Sequence, residues 1–264
     1  MNISIIGAGN MGSAVARGLA SGSLIPAQNI TVSNPSPAKL RALEAASPGL
    51  HTTAANAEAA QGADLIILAV KPWKVHDVID ELKPHLDYER QSIASMAGGI
   101  GTETLSSWLD RGDGQLPTVH YLIPNTAIAV RRSMTFICSA RSTPERDARL
   151  LEVFRELGDA MLIEEAQMGA CMALASCGIA YVMRYIRAAT EGAVELGLRP
   201  GDAQHIIMQT MQGAVSLLEA NGSHPEAEID KVTTPGGLTI RGLNAMEESG
   251  FSASVIRGLR ASVR

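Results

Sequence analysis

The sequence predicts an α/β domain built on a parallel sheet, followed by an all-helical domain. Two observations carry this. Up to about residue 164, short apolar, β-branched runs alternate with helix-like segments, the pattern of a parallel sheet covered on both faces. From Glu165 onward the strand signal stops, and apolar residues recur at helical spacing, as at Ile207, Met211, Ala214 and Leu218.

Taken in order, the strands are read at Ile3–Ile6, Ile30–Val32, Leu65–Val70, Ser92–Ser95, Thr118–Ile123, Met134–Cys138 and Met161–Ile163. The helices between them are read at Met11–Ser21, Ala38–Ala46, Val75–Lys83, Thr102–Leu109 and Pro144–Leu157. In the second half, Ala166–Leu196 is apolar nearly all round, Asp202–Leu218 is a second helix and Ser252–Val263 a last short one. The uncharged run Ala166–Met183 touches the length of a membrane span, but it is mostly Ala, Gly, Cys and Ser with Gln167 inside it. A helix buried in a core or a dimer is expected instead. The domains are therefore 1–164 and 165–264.

Composition narrows the function classes. Hydrophobic residues make up 46% of the 264 residues and charged ones 19%, enough for a sizeable core. A net charge of −5 argues against a nucleic-acid binder. The three cysteines, Cys138, Cys171 and Cys177, sit in apolar stretches at no metal-site spacing, and the six histidines are scattered. Reduced thiols, no metal site and a cytoplasmic protein are expected. No basic segment or cleavage site precedes the first strand, so no secretory leader is expected.

That first strand runs into Gly7-Ala8-Gly9-Asn10-Met11-Gly12, and a helix follows. G-x-G-x-x-G between strand and helix is the dinucleotide fingerprint of a Rossmann-like domain. Gly7 permits the tight turn, Gly9 lets the backbone approach a pyrophosphate, and Gly12 lets helix and strand pack closely. The helix N-terminus then holds the phosphates. The bland alternative is a glycine turn that serves packing alone. At the end of the second strand, Ser33-Asn34-Pro35-Ser36 stands where an NAD site places Asp or Glu. Without a carboxylate to repel a 2′-phosphate, NADPH is the expected cofactor, with NADH still admissible. Ser33, Asn34 and Ser36 could donate to that phosphate, with Lys39 or Arg41 nearby for charge.

These pieces match a family. Ile5–Gly12, Ala69-Val70-Lys71-Pro72 after a mid-sheet strand, Pro124-Asn125-Thr126 at a strand end and Val232–Ile240, preceded by His224-Pro225, together resemble pyrroline-5-carboxylate reductase over nearly the whole chain. That family catalyses the last step of proline biosynthesis. The resemblance implies an NAD(P)H-binding Rossmann domain, a helical domain that dimerises, dimers that can assemble further, and an active site lying between them. The chain departs from the family at Tyr121, where an arginine is usual, at Arg131-Arg132-Ser133 in place of Gly-Glu-Gly, and at Ala175–Tyr181 in place of Ser-Gly-Ser-Gly-Pro-Ala-Tyr.

Within Val232–Ile240, Thr234 suits a helix N-cap and Pro235 the first helical position, which would put Gly236 and Gly237 on the first turn. The N–H groups of a first turn lack intrahelical partners, so the stretch reads as a small anion site. The alternative is a capped helix start whose glycines serve helix–helix contact. For the family's substrate, a cyclic imine with one carboxylate, the carboxylate would take the Gly236 and Gly237 N–H groups and the Thr234 hydroxyl. The Thr239 hydroxyl would bond the ring nitrogen as an orienting donor or relay to water. Ala69, Val70, Lys71 and Pro72 are assigned to the cofactor site. Asn125 is assigned to the nicotinamide or substrate, its alternative being a turn asparagine beside a proline.

Two other functions share the organisation: a 3-hydroxyacid or 6-phosphogluconate-type dehydrogenase, and a non-catalytic NAD(P)-binding redox sensor. The first would carry a lysine on a long helix of the second half, and Ala166–Leu196 has none, only Arg184 and Arg187. The second would have no need of a Pro-Gly-Gly followed by Thr239. The expected partners are thus a small-molecule substrate and a second copy of the chain, with no nucleic acid and no membrane.

Overall fold

A computed structural model describes residues 1–263. It divides into two compact units, Met1–Ser176 and Cys177–Arg264.

The first unit is built on one eight-stranded sheet: β1 (Ile3–Ile6), β2 (Ile30–Ser33), β3 (His51–Thr53), β4 (Leu65–Leu68), β5 (Ser92–Ser95), β6 (Thr118–Ile123), β7 (Ser133–Ala140) and β8 (Gly158–Leu162). Their spatial order is β3-β2-β1-β4-β5-β6-β7-β8. The reversal of order beside β1 makes the crevice where open α/β sheets bind their ligands. Strands β1 to β6 are parallel, with Ile3 opposite both Ile30 and Leu65. The wholly parallel expectation fails at the next pair. β7 runs antiparallel to β6, Ile123 opposite Phe136, because residues 124–132 form a short return in place of a crossover helix. β8 then pairs parallel to β7.

The connecting helices are α1 (Asn10–Ala20), α2 (Pro37–Ala46), α3 (Asn56–Ala60), α4 (Val75–Leu82), α5 (Thr102–Leu109) and α6 (Pro144–Arg155). Strand side chains alternate between two cores. Ile3, Ile5 and Ile67 pack on one face with Val15 and Phe154. Ile6, Ile66 and Leu68 pack on the other with Ile79 and Leu105. Each such side chain, fully buried, stabilises the fold by about 1.5–3 kcal/mol. The first unit extends past residue 164. Met168 joins Tyr121 and Phe136 in a third cluster, and Thr102 at the start of α5 donates to the Glu165 carboxylate at 2.6 Å.

The expected single helix over Ala166–Leu196 is broken. A 3₁₀ turn (Glu165–Gln167) leads into α7 (Met168–Met172), then a π-helical segment (Ala173–Cys177), then α8 (Gly178–Glu195). By length and composition the span Glu165–Glu195 could cross a membrane, an 18-residue window of it having mean hydropathy 1.4.

The second unit contains α8, α9 (Pro200–Asn221), α10 (Pro225–Val232), α11 (Leu238–Glu248) and α12 (Phe251–Ala261). Among its described residues only Ala203 is buried. Met183 is 62% exposed, Leu196 88%, Val215 54% and Ile256 56%. The burial expected of Ala166–Met183 is therefore not supplied within one chain: most of the run is exposed or half-buried.

Candidate active site

The C-terminal ends of β1, β2, β4 and β5 open into a cavity of about 870 Å³. Each glycine of the first loop has its own reason there. Gly7 has φ +112, where a side chain is strained, and a Cβ would lie 2.9 Å from the Ala69 carbonyl oxygen. A Cβ on Gly12 would lie 1.9 Å from the Gly7 carbonyl oxygen. Beside Gly9 the space is open, and Gly9 is the N-cap of α1 without a side-chain cap. The first-turn N–H groups of α1 are thus left for a ligand, on a helix whose dipole favours an anion. Gly9, Asn10 and Met11 line the cavity, as do Ala69, Val70, Lys71 and Pro72. A pyrophosphate fits this donor set; Gly7, Ala8 and Gly12 shape the loop around it.

The end of β2 departs from the expected roles. Ser33 is fully buried, its carbonyl accepts from Gly7 N–H at 2.8 Å, and its hydroxyl donates to Asn56 Oδ1 at 2.7 Å. It therefore cannot also serve a 2′-phosphate. Asn34 lines the cavity, and its Oδ1 accepts from Ala8 N–H at 3.1 Å. That bond points the amide –NH₂ away from the loop. Lys39 and Lys74 also line the cavity; Arg41 does not. Asn56, which sequence reasoning passed over, lines it too and donates to Glu81 at 2.7 Å. Its position just after the short β3 was the available signal.

Asn125 lies outside the lining of this cavity. It is 7% exposed, and its Oδ1 caps a 3₁₀ turn by accepting from Ala127 N–H at 3.0 Å. Its Nδ2 donates to the Ala175 carbonyl at 3.4 Å, on the π-helical segment. Ser176 reaches the Pro124 carbonyl at 3.5 Å from the same segment. Asn125 thus fixes a strand end to a π-segment, where altered backbone pairing is common near functional sites.

The unusual residues also find partners. The Tyr121 hydroxyl accepts from Gly99 N–H at 3.0 Å, tying β6 to the loop after β5, where Met96, Ala97 and Gly98 line the cavity. Burial, the largest cause, raises the Tyr121 pKa, so the hydroxyl stays protonated. Arg131 adopts φ +56 and donates to the Glu156 carbonyl at 2.8 Å; the Ser133 hydroxyl accepts from Asn125 N–H at 3.1 Å.

In the second unit, Thr234 is not the N-cap and Pro235 is not the first helical residue. Thr234–Gly237 is a β-turn: Gly237 N–H donates to the Thr234 carbonyl at 2.9 Å, and Gly236 has φ +71. Proline followed by a positive-φ glycine is the type II arrangement. Helix α11 begins three residues later than expected, at Leu238, with Gly237 as an N-cap lacking any side-chain bond. A Cβ on Gly237 would meet the Thr234 hydroxyl oxygen at 2.5 Å. The free donors are therefore the first-turn N–H groups of Leu238, Thr239 and Ile240, not that of Gly237. Thr239 is exposed at that first turn.

Comparison with known proteins gives two family matches. Residues 165–264 match the model described as pyrroline-5-carboxylate reductase dimerisation. Residues 2–98 match NADP oxidoreductase coenzyme F420-dependent. The chain is 36% identical to pyrroline-5-carboxylate reductase 2 of Dictyostelium discoideum, over 98% of the chain and 89% of that protein. It is 36% identical to pyrroline-5-carboxylate reductase 1 of the same organism over 98% of the chain, spanning 48% of that longer protein. Among solved structures, Plasmodium falciparum pyrroline carboxylate reductase with NADP bound superposes with TM-score 0.86 at 25% identity, covering 99% of this chain and 95% of that one.

Proposed function

The chain belongs to the pyrroline-5-carboxylate reductase family, NAD(P)H-dependent enzymes that reduce 1-pyrroline-5-carboxylate to proline, and from that premise we propose how its residues divide the work. NADPH supplies the hydride for the C=N carbon. The uncapped first turn of α1 binds the pyrophosphate. Asn34 and Lys39 take the 2′-phosphate, with Asn56 held beside them by Ser33 and Glu81. Ala69 to Pro72 form the wall under the rest of the cofactor, and Asn125 acts behind them as a positioning residue.

For the substrate, the uncapped first turn of α11 and the Thr234 hydroxyl hold the carboxylate. Gly236 and Gly237 act by forming the turn that presents these donors. The Thr239 hydroxyl orients the ring nitrogen and passes it a proton from water, since a threonine alone is too weak an acid to supply one. Positioning of the reacting atoms does most of the rest.

The observation that carries this reading is that of the glycine-led helix starts, α1 behind Gly9 and α11 behind Gly237 leave their first-turn N–H groups open, whereas Glu165 takes one at α5 behind Gly101 and Glu247 one at α12 behind Gly250. The test is NADPH oxidation with 1-pyrroline-5-carboxylate, with a 3-keto acid and with no substrate. Turnover is expected with the imine alone; turnover with the keto acid only would return the dehydrogenase reading.

The protein acts as a homodimer, with pairs able to join further. Support comes from the exposed apolar helices of the second unit and from the family match over residues 165–264. Sedimentation at micromolar concentration tests it, and a monomer would refute it. A cytoplasmic location is in keeping with three unpaired cysteines, Cys138, Cys171 and Cys177; cell fractionation decides it.

A further inference from the structure

A second cavity, of about 270 Å³, opens at the opposite edge of the sheet, where β1, β4 and β5 begin. The cofactor cavity lies at the carboxyl ends of these strands, so the two are separate. Three arginines line this one: Arg90, Arg146 and Arg149; Asp64 is the one acid in its lining. Arg90 is already paired with Asp64 at 3.1 Å and with Asp87 at 3.7 Å. The Arg146 guanidinium is steered by the Thr118 hydroxyl at 2.8 Å and the Glu89 carbonyl. Arg149, on the outer side of α6, makes no ion pair among the described residues. Within the lining itself three guanidinium groups face one carboxylate, Asp64; Asp87 and Asp147 are not among the lining residues and lie against Arg90 and His120.

At the inner end is His120 of β6, with its side chain 1% exposed. Its Nδ1 lies 2.8 Å from the Ser139 hydroxyl and 3.8 Å from Asp147 Oδ1. Its Nε2 is buried, with no hydrogen-bond partner among the described residues, although the ring lines the cavity. A buried polar group without a partner costs about 1–3 kcal/mol, and native proteins rarely leave one without a reason. Catalysis at the other edge of the sheet makes no use of it.

We propose that this cavity is a second binding site, specific for a small oxyanion, with Arg146 and Arg149 holding its charge and His120 Nε2–H donating from within. Binding selects the tautomer in which Ser139 donates to Nδ1 and the hydrogen sits on Nε2. Guanidinium forks suit phosphate and carboxylate equally, and the volume admits inorganic phosphate or a small dicarboxylate. The imidazole stays neutral there: burial, the largest cause, brings its pKa down to about 4, with Asp147 opposing and Arg146 reinforcing the effect.

The test is calorimetric titration of the full-length protein with inorganic phosphate, at constant ionic strength and with NADPH saturating so that the α1 phosphate site is occupied. A second arm replaces phosphate with malonate. One equivalent per chain is expected in at least one arm, which names the source of the oxyanion. Arg149→Glu should weaken that binding at least tenfold. Arg155→Glu, on the same helix but outside the cavity, should leave it unchanged. On binding, the ¹⁵N resonance of His120 Nε2 should shift in the parent protein. No binding in either arm, or equal binding by the Arg149→Glu protein, would overturn the proposal.

Discussion

Asn34→Asp should convert an NADPH enzyme into one that prefers NADH. The position matters. Placing the acid at Ser33 would break the buried bond to Asn56 and disturb the fold around it. Asp at residue 34 keeps the acceptor that holds Ala8 N–H at 3.1 Å, so the loop survives and only charge is added. A 2′-phosphate carries about −1.5 charge or more. At about 5 Å and an effective dielectric constant of about 40, suited to a half-open cavity, the repulsion is about 2.5 kcal/mol. That is roughly a 70-fold weakening of NADPH at an RT of about 0.59 kcal/mol. NADH should be spared or gain a few-fold, since a carboxylate at this strand end can accept from the ribose 2′-OH. Fluorescence titration of both cofactors gives the two dissociation constants directly. An unchanged NADPH constant in a folded Asn34→Asp protein would show that the 2′-phosphate lies elsewhere, and the assignment of Asn34 and Lys39 would fall with it.

Thr239→Val should lower kcat/KM for the imine by about 2–4 kcal/mol, the size of a lost transition-state donor; steady-state kinetics would expose a mere packing residue by showing the parent rate, and NADPH affinity should not move. Tyr121→Phe removes the acceptor for Gly99 N–H and should cost about 0.5–1.5 kcal/mol of stability, read by urea unfolding. His120 makes the first unit sensitive to acid: its folded pKa of about 4 lies below its ordinary 6.5, so the unfolded chain takes the proton first. Its stability contribution is complete above about pH 6.5 and declines toward pH 4, by about 3 kcal/mol in all. Replacing His120 by Asn should flatten that part of the stability–pH curve; an unchanged slope would assign the acid sensitivity to other groups.

Where an apolar run stood between clear breaks, the sequence alone located the element. Ser92–Ser95, Thr118–Ile123 and Thr102–Leu109 fall where the apolar runs placed them. β3 and α3 left no such trace. His51–Thr53 is an edge strand of three half-exposed or exposed residues, and Asn56–Ala60 is a five-residue helix with three alanines and no large apolar side chain. Missing them hid Asn56. The antiparallel turn into β7 was invisible for a different reason: an apolar strand reads alike in either direction. At Thr234-Pro235-Gly236-Gly237 two local rules competed. Proline's fixed φ suits both the first residue of a helix and the second of a turn. Gly236 decides for the turn by adopting positive φ, and the free donors move to Leu238, Thr239 and Ile240. Charge in the second cavity escaped notice because Arg90, His120 and Arg146 come from separate elements that only the sheet brings together.

With the proposed pairing, the near-absence of burial in the second unit turns chain concentration into a folding variable. With only Ala203 buried between Cys177 and Val263, a lone copy recovers little hydrophobic free energy against the entropy of ordering five helices. On the proposed pairing, most of the stabilisation of that half comes from a bimolecular step. Its melting temperature should therefore climb with the logarithm of protein concentration, while that of the sheet-based first unit stays fixed. Dilution would act on the two halves of one polypeptide differently: a copy newly made and still alone would have its nucleotide fold formed, and its helices waiting for an encounter.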